Sequence, residues 1–185
     1  PMPLLSSRRL YTGRVLNLDL DGVRFPDGSE GTLEMIRHPG ASAVLPCLDD
    51  PAAADPRAIL IRQFRHAADG FIWEIPAGRL EPAELPVTCA HRELQEETGY
   101  RAATMEPLGT ILTTPGFTDE RIHLFRATGL TPGAAAREAD EFVELHTVPW
   151  SRVIEMARAG EIQDAKTLCA IWLADAWRRN AWPLP

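Results

Sequence analysis

At 185 residues, with 45% hydrophobic and 24% charged side chains, the chain has the makeup of an ordinary globular protein. A formal net charge of −7 argues against steering toward nucleic acid or an anionic membrane, and phosphate binding by so acidic a protein calls for an intervening cation. No apolar run has the length of a transmembrane helix and residues 2–9 lack the apolar core of a signal peptide, so a cytoplasmic location is expected.

The first forty residues alternate as strands do. Leu16, Leu18 and Leu20 share one face, Val23 and Phe25 lead into the turn Pro26-Asp27-Gly28, and residues 32–36 return as the second strand of a hairpin. Such a hairpin ahead of the main domain suits pairing with a second subunit, which makes residues 1–40 an expected dimerisation region and 41–185 the main domain. Residues 42–48 and 57–64 are apolar enough for buried strands, separated by the breaker-rich 49–56, and residues 71–75 form a short strand ended by Pro76. From Pro86 the periodicity turns helical, with Pro86 in the first turn and Gly99 at the left-handed position past the end. Strand patterns return at 109–113, 122–127 and 142–148, with a small, polar loop at 131–141. Helices at 151–159 and 164–179 close a mixed α/β chain.

Cys47, Cys89 and Cys169 are far apart with no CxxC pairing, so they form neither a disulfide framework nor a zinc site. Cys89 lacks a histidine at catalytic spacing, and His38, His66, His91, His123 and His146 lack ligand spacing. The chemistry concentrates in the helix after Pro86. Glu93, Glu96 and Glu97 stand at i, i+3 and i+4, so three carboxylates project from one face, where they repel one another. By itself such a cluster is more often a solvated acidic face. Hard oxygen donors within one turn are also what Mg²⁺ or Mn²⁺ requires. Arg92 offers a cation but points about 100° around the helix from Glu93. Glu84, eight residues ahead, can accept from that guanidinium and tie the loop to the helix. Gly78, after Pro76-Ala77, suits a positive-φ turn that would aim a backbone carbonyl at a metal.

Read together, Gly78, Glu84, Arg92-Glu93-Leu94, Glu96-Glu97, Gly99 and Tyr100 resemble the Nudix box over 23 residues, with Tyr100 bulkier than the usual aliphatic. The resemblance implies a Nudix-type α/β/α sandwich with a mixed sheet and hydrolysis of a nucleoside diphosphate linked to another moiety. It further implies two to three Mg²⁺ ions, with Mn²⁺ as a substitute. Glu93 and Glu97 are then metal ligands, Glu96 is a direct or water-mediated ligand with a catalytic role, and the Ala77 carbonyl is a further ligand. Gly78, Glu84, Arg92 and Gly99 are the structural positions.

Outside the box, Gly13-Arg14-Val15, His38-Pro39-Gly40, Arg62-Gln63-Phe64-Arg65, Trp73 to Gly78 and Pro115 to Glu120 resemble the ADP-ribose pyrophosphatase branch. The stretch from Gly160 to Thr167 is similar to GDP-mannose-cleaving relatives as well. The branch implies a nucleotide-sugar substrate, a homodimer and a base in the loop before the last sheet strand. Glu138, Asp140, Glu141 and Glu144 are the acids available there, and Glu141 fits the pattern best. Arg65 is the candidate phosphate grip and Arg37 a weaker one. Thr114 and Glu120 could bond the terminal ribose. Trp73 reads as core rather than as a base-stacking surface. The competing readings are a GDP-mannose pyrophosphatase and a nucleotide-binding domain without catalysis. The intact box and the lack of a basic module weigh against the latter.

Overall fold

Among the residues described in the computed structural model, 3–134 and 143–179, the strands are β1 (Leu4–Thr12), β2 (Asn17–Arg24), β3 (Glu30–Arg37), β4 (Ala41–Pro46), β5 (Arg57–Arg65), β6 (Gly70–Glu74), β7 (Ala77–Arg79), β8 (Tyr100–Leu112), β9 (Arg121–Pro132) and β10 (Val143–Pro149). The helices are α1 (Pro86–Thr98), α2 (Trp150–Ala159) and α3 (Ala165–Arg178). Contacts divide the chain into two units, Pro1–Gly40 with Leu112–Arg121, and Ala41–Ile111 with Ile122–Pro185.

In the larger unit, every residue of β4 is buried, the mark of a strand covered on both faces. Its sheet runs β7-β4-β9-β8, with β4 parallel to β9 and antiparallel to β7. Alternation sorts the side chains. Ala41, Ala43 and Leu45 with Ile122 and Leu124 pack toward Val153, Ile154, Ala170 and Ile171 of α2 and α3. Val44, Phe125 and Ala127 pack on the other face against Ala90 and Leu94 of α1. Helices on both faces of a mixed sheet give the α/β/α sandwich expected from the sequence. A second sheet, β10-β5-β6, adds Ala58, Leu60 and Val148 to the first of these clusters. The Asp164 carboxylate caps α3 by accepting from the Thr167 N–H at 3.0 Å.

The smaller unit departs from its expected form. It is a three-stranded antiparallel sheet β1-β2-β3, not a lone hairpin. Exposed along its whole length and carrying Ser6-Ser7-Arg8-Arg9, β1 has no apolar alternation to announce it. Nor is the leucine face the buried one. Asp19, Asp21 and Val23 are buried on β2, while Leu18 and Leu20 are half-buried and Leu16 precedes the strand. Charge pairing explains the inversion: Arg37 donates to Asp19 at 3.1 Å and to Asp21, Arg9 pairs with Asp19, and Ser7 donates to Asp21 at 2.7 Å. Period-two patterning identifies two faces but not which one compensated charges will occupy. The 112–121 segment adds to β3, the Ile36 N–H donating to the Phe117 carbonyl at 2.7 Å. Strands β8 and β9 are also longer than their apolar segments suggested, and Thr131 and Pro132 lie in β9 rather than in a loop.

Leu94, fully buried between α1 and the sheet, tests this packing. Leu94→Ala is expected to destabilise the protein by about 2–5 kcal/mol in urea denaturation, since the rigid sheet cannot collapse onto the cavity.

Candidate active site

The site grows from a strand–loop–helix unit. After β6 the chain passes through Ile75 and Pro76 into β7, where Gly78 pairs with Ser42 and Ala77 with Ala43 of β4, and the Val44 N–H donates to the Pro76 carbonyl at 2.8 Å. The loop returns at Pro86, which opens α1 where a missing N–H costs nothing. Gly99 closes α1 in the left-handed conformation at φ 75°, its N–H on the Gln95 carbonyl at 2.8 Å.

On α1, Glu93 and Glu97 are buried whereas the Glu96 side chain is 39% exposed, so the acidic face is graded rather than uniformly solvated. The Glu93 carboxylate lies where a Cβ on Gly78 would be. That corrects the expected reason for this glycine. Gly78 does not have positive φ; it sits in a strand, and any side chain there would displace Glu93. The backbone around Ala77 and Gly78 is thereby drawn against a buried carboxylate.

Arg92 is the hub. Its Nε and Nη2 each reach Glu84 at 2.9 Å, as the spacing implied, and Nη2 also donates to the Arg79 carbonyl at 3.1 Å. Despite the angular offset, the long side chain folds back so that Nη1 contacts Glu93 at 2.5 Å and Glu96 at 3.0 Å. One guanidinium thus spans three carboxylates. Hydrogen bonding to Arg92 holds the Glu84 carboxyl down to about 2, and the bonds to Glu84 raise Arg92 in turn. Beneath this hub the Cys89 thiol donates to the Gly78 carbonyl at 3.5 Å, and burial pushes it up to about 11, so it is no nucleophile.

Buried hard oxygens at i, i+4 beside a backbone without a side chain suit a hard divalent cation. Among the described residues no three acidic, histidine or thiol groups are gathered about one point, because Arg92 lies between Glu84, Glu93 and Glu96. An ion would share Glu93 and Glu96 oxygens with it.

A second constellation, at the end of β6, joins the sequence-assigned Arg65 to Glu74 and Lys166, which are not assigned from sequence. Arg65 forks onto Glu74 through Nε at 2.7 Å and Nη2 at 2.9 Å, and Lys166 reaches the same carboxylate at 2.5 Å and Asp164 at 3.0 Å. Burial would raise Glu74, yet the Arg65 and Lys166 contacts hold it below its ordinary value. Lys166 is nearly buried and Arg65 is 42% exposed. The available signal was Glu74 itself, a carboxylate inside the apolar run from Phe71 to Ile75, which requires a cation once buried.

Arg37, Thr114 and Glu120 belong to the smaller unit. Arg37 bonds Asp19, Asp21 and Asp119, Glu120 pairs with His38 at 3.3 Å, and the Thr114 carbonyl accepts from Phe117 and Thr118. Glu138, Asp140 and Glu141 lie outside the described residues. Glu144, on β10, is exposed beside Arg62 at 4.0 Å and His146 at 3.5 Å. Trp73 packs against the core and meets the His146 ring edge-on at 4.7 Å between centroids.

Residues 37–171 match the family model described as the NUDIX domain. The chain is similar to a methanol dehydrogenase activator of Bacillus methanolicus and to an ADP-ribose pyrophosphatase of Bacillus subtilis. Each is 38% identical over 169 residues, which is 90% of this chain and 89% of the relative. A GDP-mannose pyrophosphatase of Cronobacter sakazakii is 40% identical over 120 residues, 60% of this chain and 62% of that one. Among solved structures, an ADP compounds hydrolase superposes with a TM-score of 0.81 at 19% identity, covering 97% of this chain and 95% of the other, which establishes a shared fold.

The Glu84–Arg92 pair carries a pH signature. A carboxyl whose ordinary value of 4.5 falls to about 2 in the folded state contributes stability above pH 4.5, and loses it as pH falls through 2. The stability gap between wild type and Glu84→Gln, measured by urea denaturation without metal, is expected to stay level above pH 5 and to shrink steadily below pH 4.5.

Proposed function

The chain belongs to the Nudix family, and on that basis we propose that it hydrolyses the pyrophosphate bond of a nucleotide sugar, ADP-ribose above others, giving AMP and ribose 5-phosphate. The observation that carries the reading is the Glu93–Glu97 face of α1, set against the side-chain-free backbone at Gly78 and braced by Arg92. Glu93, Glu97 and Glu96 with the Ala77 carbonyl hold divalent metal, Mg²⁺ foremost. When bound, that metal neutralises substrate phosphates and lowers the pKa of bound water. Arg65, its Nε and Nη2 oriented by Glu74, presents Nη1 to a phosphate oxygen. Glu141 is the proposed base that takes the proton of the attacking water, and Arg37, Thr114 and Glu120 are the proposed contacts to the rest of the substrate.

We assign the smaller unit a role in homodimer formation, supported by the exposed Leu4, Leu5, Leu10, Tyr11, Val15 and Leu16 along and beside its outer strand. A light-scattering mass that stays near 20.5 kDa at micromolar concentration would exclude the dimer. A cytoplasmic location is proposed with it; three free thiols suit a reducing compartment, and no helix among the described residues is long and apolar enough to cross a membrane.

The GDP-mannose relative keeps a second substrate in view, at a shorter span of similarity. Steady-state hydrolysis with Mg²⁺ is expected to give a higher kcat/KM for ADP-ribose than for GDP-mannose; the opposite order would transfer the assignment. For the site, Glu97→Gln should lower kcat at least roughly 100-fold and weaken metal binding in calorimetry. Glu141→Gln should lower kcat by about 10²–10⁴ with metal affinity intact, whereas Glu144→Gln leaves it within a few-fold. Equal losses at 141 and 144 would remove Glu141 as the base.

A further inference from the structure

The Arg65–Glu74–Lys166 cluster contains more charge than orientation of Arg65 requires. A single buried carboxylate needs one cation, and the bidentate Arg65 fork already supplies it, both oxygens accepting at 2.7 and 2.9 Å. Yet Lys166, only 12% exposed, is brought from α3 to the same Glu74 carboxylate at 2.5 Å. A buried ammonium needs such partners, and two carboxylates supply them. Its other partner, Asp164, is committed to the α3 N-terminus, accepting from the Thr167 N–H and hydroxyl at 3.0 and 2.5 Å. The Thr167 hydroxyl in turn accepts from the Ile75 N–H at 2.9 Å, which fastens the α3 start to the strand end leading into Ala77 and Gly78. Arg65 and Lys166 thus balance Glu74 and Asp164, and the member left exposed is Arg65, 42% accessible.

We propose that Lys166 is a positioning residue for substrate phosphate: by neutralising Glu74 from the buried side, it leaves Arg65 oriented by that carboxylate but with its positive charge available to the ligand. Without Lys166 the cluster has one net negative charge, Glu74 and Asp164 against Arg65 alone, and its attraction for a phosphate falls. The inference rests on the proposed phosphate contact of Arg65. It extends that contact to Lys166 on another element, a residue that never meets the ligand.

The test is steady-state hydrolysis of ADP-ribose at saturating Mg²⁺ by the full chain, with thermal midpoints measured alongside. Lys166→Met is expected to raise KM roughly tenfold while kcat changes less than about threefold, and Lys166→Arg to stay near wild type. The deciding variant is Glu74→Gln/Lys166→Met. It restores the charge balance of the wild-type cluster, so KM should recover at least about threefold relative to Lys166→Met. A structural role predicts the reverse, a double variant as impaired as the single or more so, and that result would overturn the proposal. Should Lys166→Met fail to fold, Lys166→Gln and Glu74→Gln/Lys166→Gln still decide: the single variant is expected to raise KM roughly tenfold and the double variant about threefold or less, and equal KM values in the two sink the idea. Arg65→Gln separates the two levels. Unchanged KM there would refute the phosphate role of Arg65 itself, whereas a raised KM with an unaffected Lys166→Met would refute only the role of Lys166.

Discussion

Carboxylates crowded on one helical turn repel each other, and the site depends on how that repulsion is met. In this chain one guanidinium meets it. Arg92 spans Glu84, Glu93 and Glu96, and also donates to the Arg79 carbonyl, so the loop, β7 and α1 are held by a single side chain. Charge-assisted bonds of this kind are strong where they are partly desolvated, and a fork distributes them with fixed geometry. A lysine could balance the charge but could not hold three partners in set directions.

Burial of the acidic face follows from the same arrangement. Glu93 is turned toward β7 rather than toward solvent, which is tolerable because Gly78 yields its side-chain volume and Arg92 lies alongside, and Glu97 is buried a turn further on. Leu94 and Ala90, a turn apart on the flank of the helix beside those glutamates, anchor α1 to Val44, Phe125 and Ala127. One helix therefore serves two needs, apolar packing against the sheet and a face of hard oxygens, because successive residues step 100° around its axis.

Across the sheet, α3 has a comparable double use. Ala170, Ile171 and Ala174 fill the core, while its first turn delivers Lys166 to Glu74 and Thr167 to the Ile75 backbone. The chain on either side of Ala77 is thus held, at Ile75 by α3 through Thr167 and at Arg79 by α1 through Arg92. Rigid elements rather than loops set the positions of Glu93, Glu96, Glu97 and Arg65, and that favours preorganisation of these groups.

What the sequence by itself determined is what local periodicity and spacing encode. Pro86 and Gly99 bound a helix that forms between them, Glu93, Glu96 and Glu97 share a face on a 3.6-residue repeat, and the eight-residue step from Glu84 to Arg92 produces the salt bridge it implied. Apolar runs at 42–48 and 57–64 became strands buried by layers on either side. Tertiary structure decided the rest, because those facts depend on residues distant in the chain. β1 is invisible in a polar, exposed segment, and Asp19 and Asp21 displace the leucines from the buried face only because Arg9 and Arg37 arrive from neighbouring strands. Gly78 is required not for a turn but for the space occupied by a carboxylate from α1, fifteen residues on. Glu74 and Lys166 meet across 92 positions of sequence, a pairing of long-range electrostatics that no local pattern can announce.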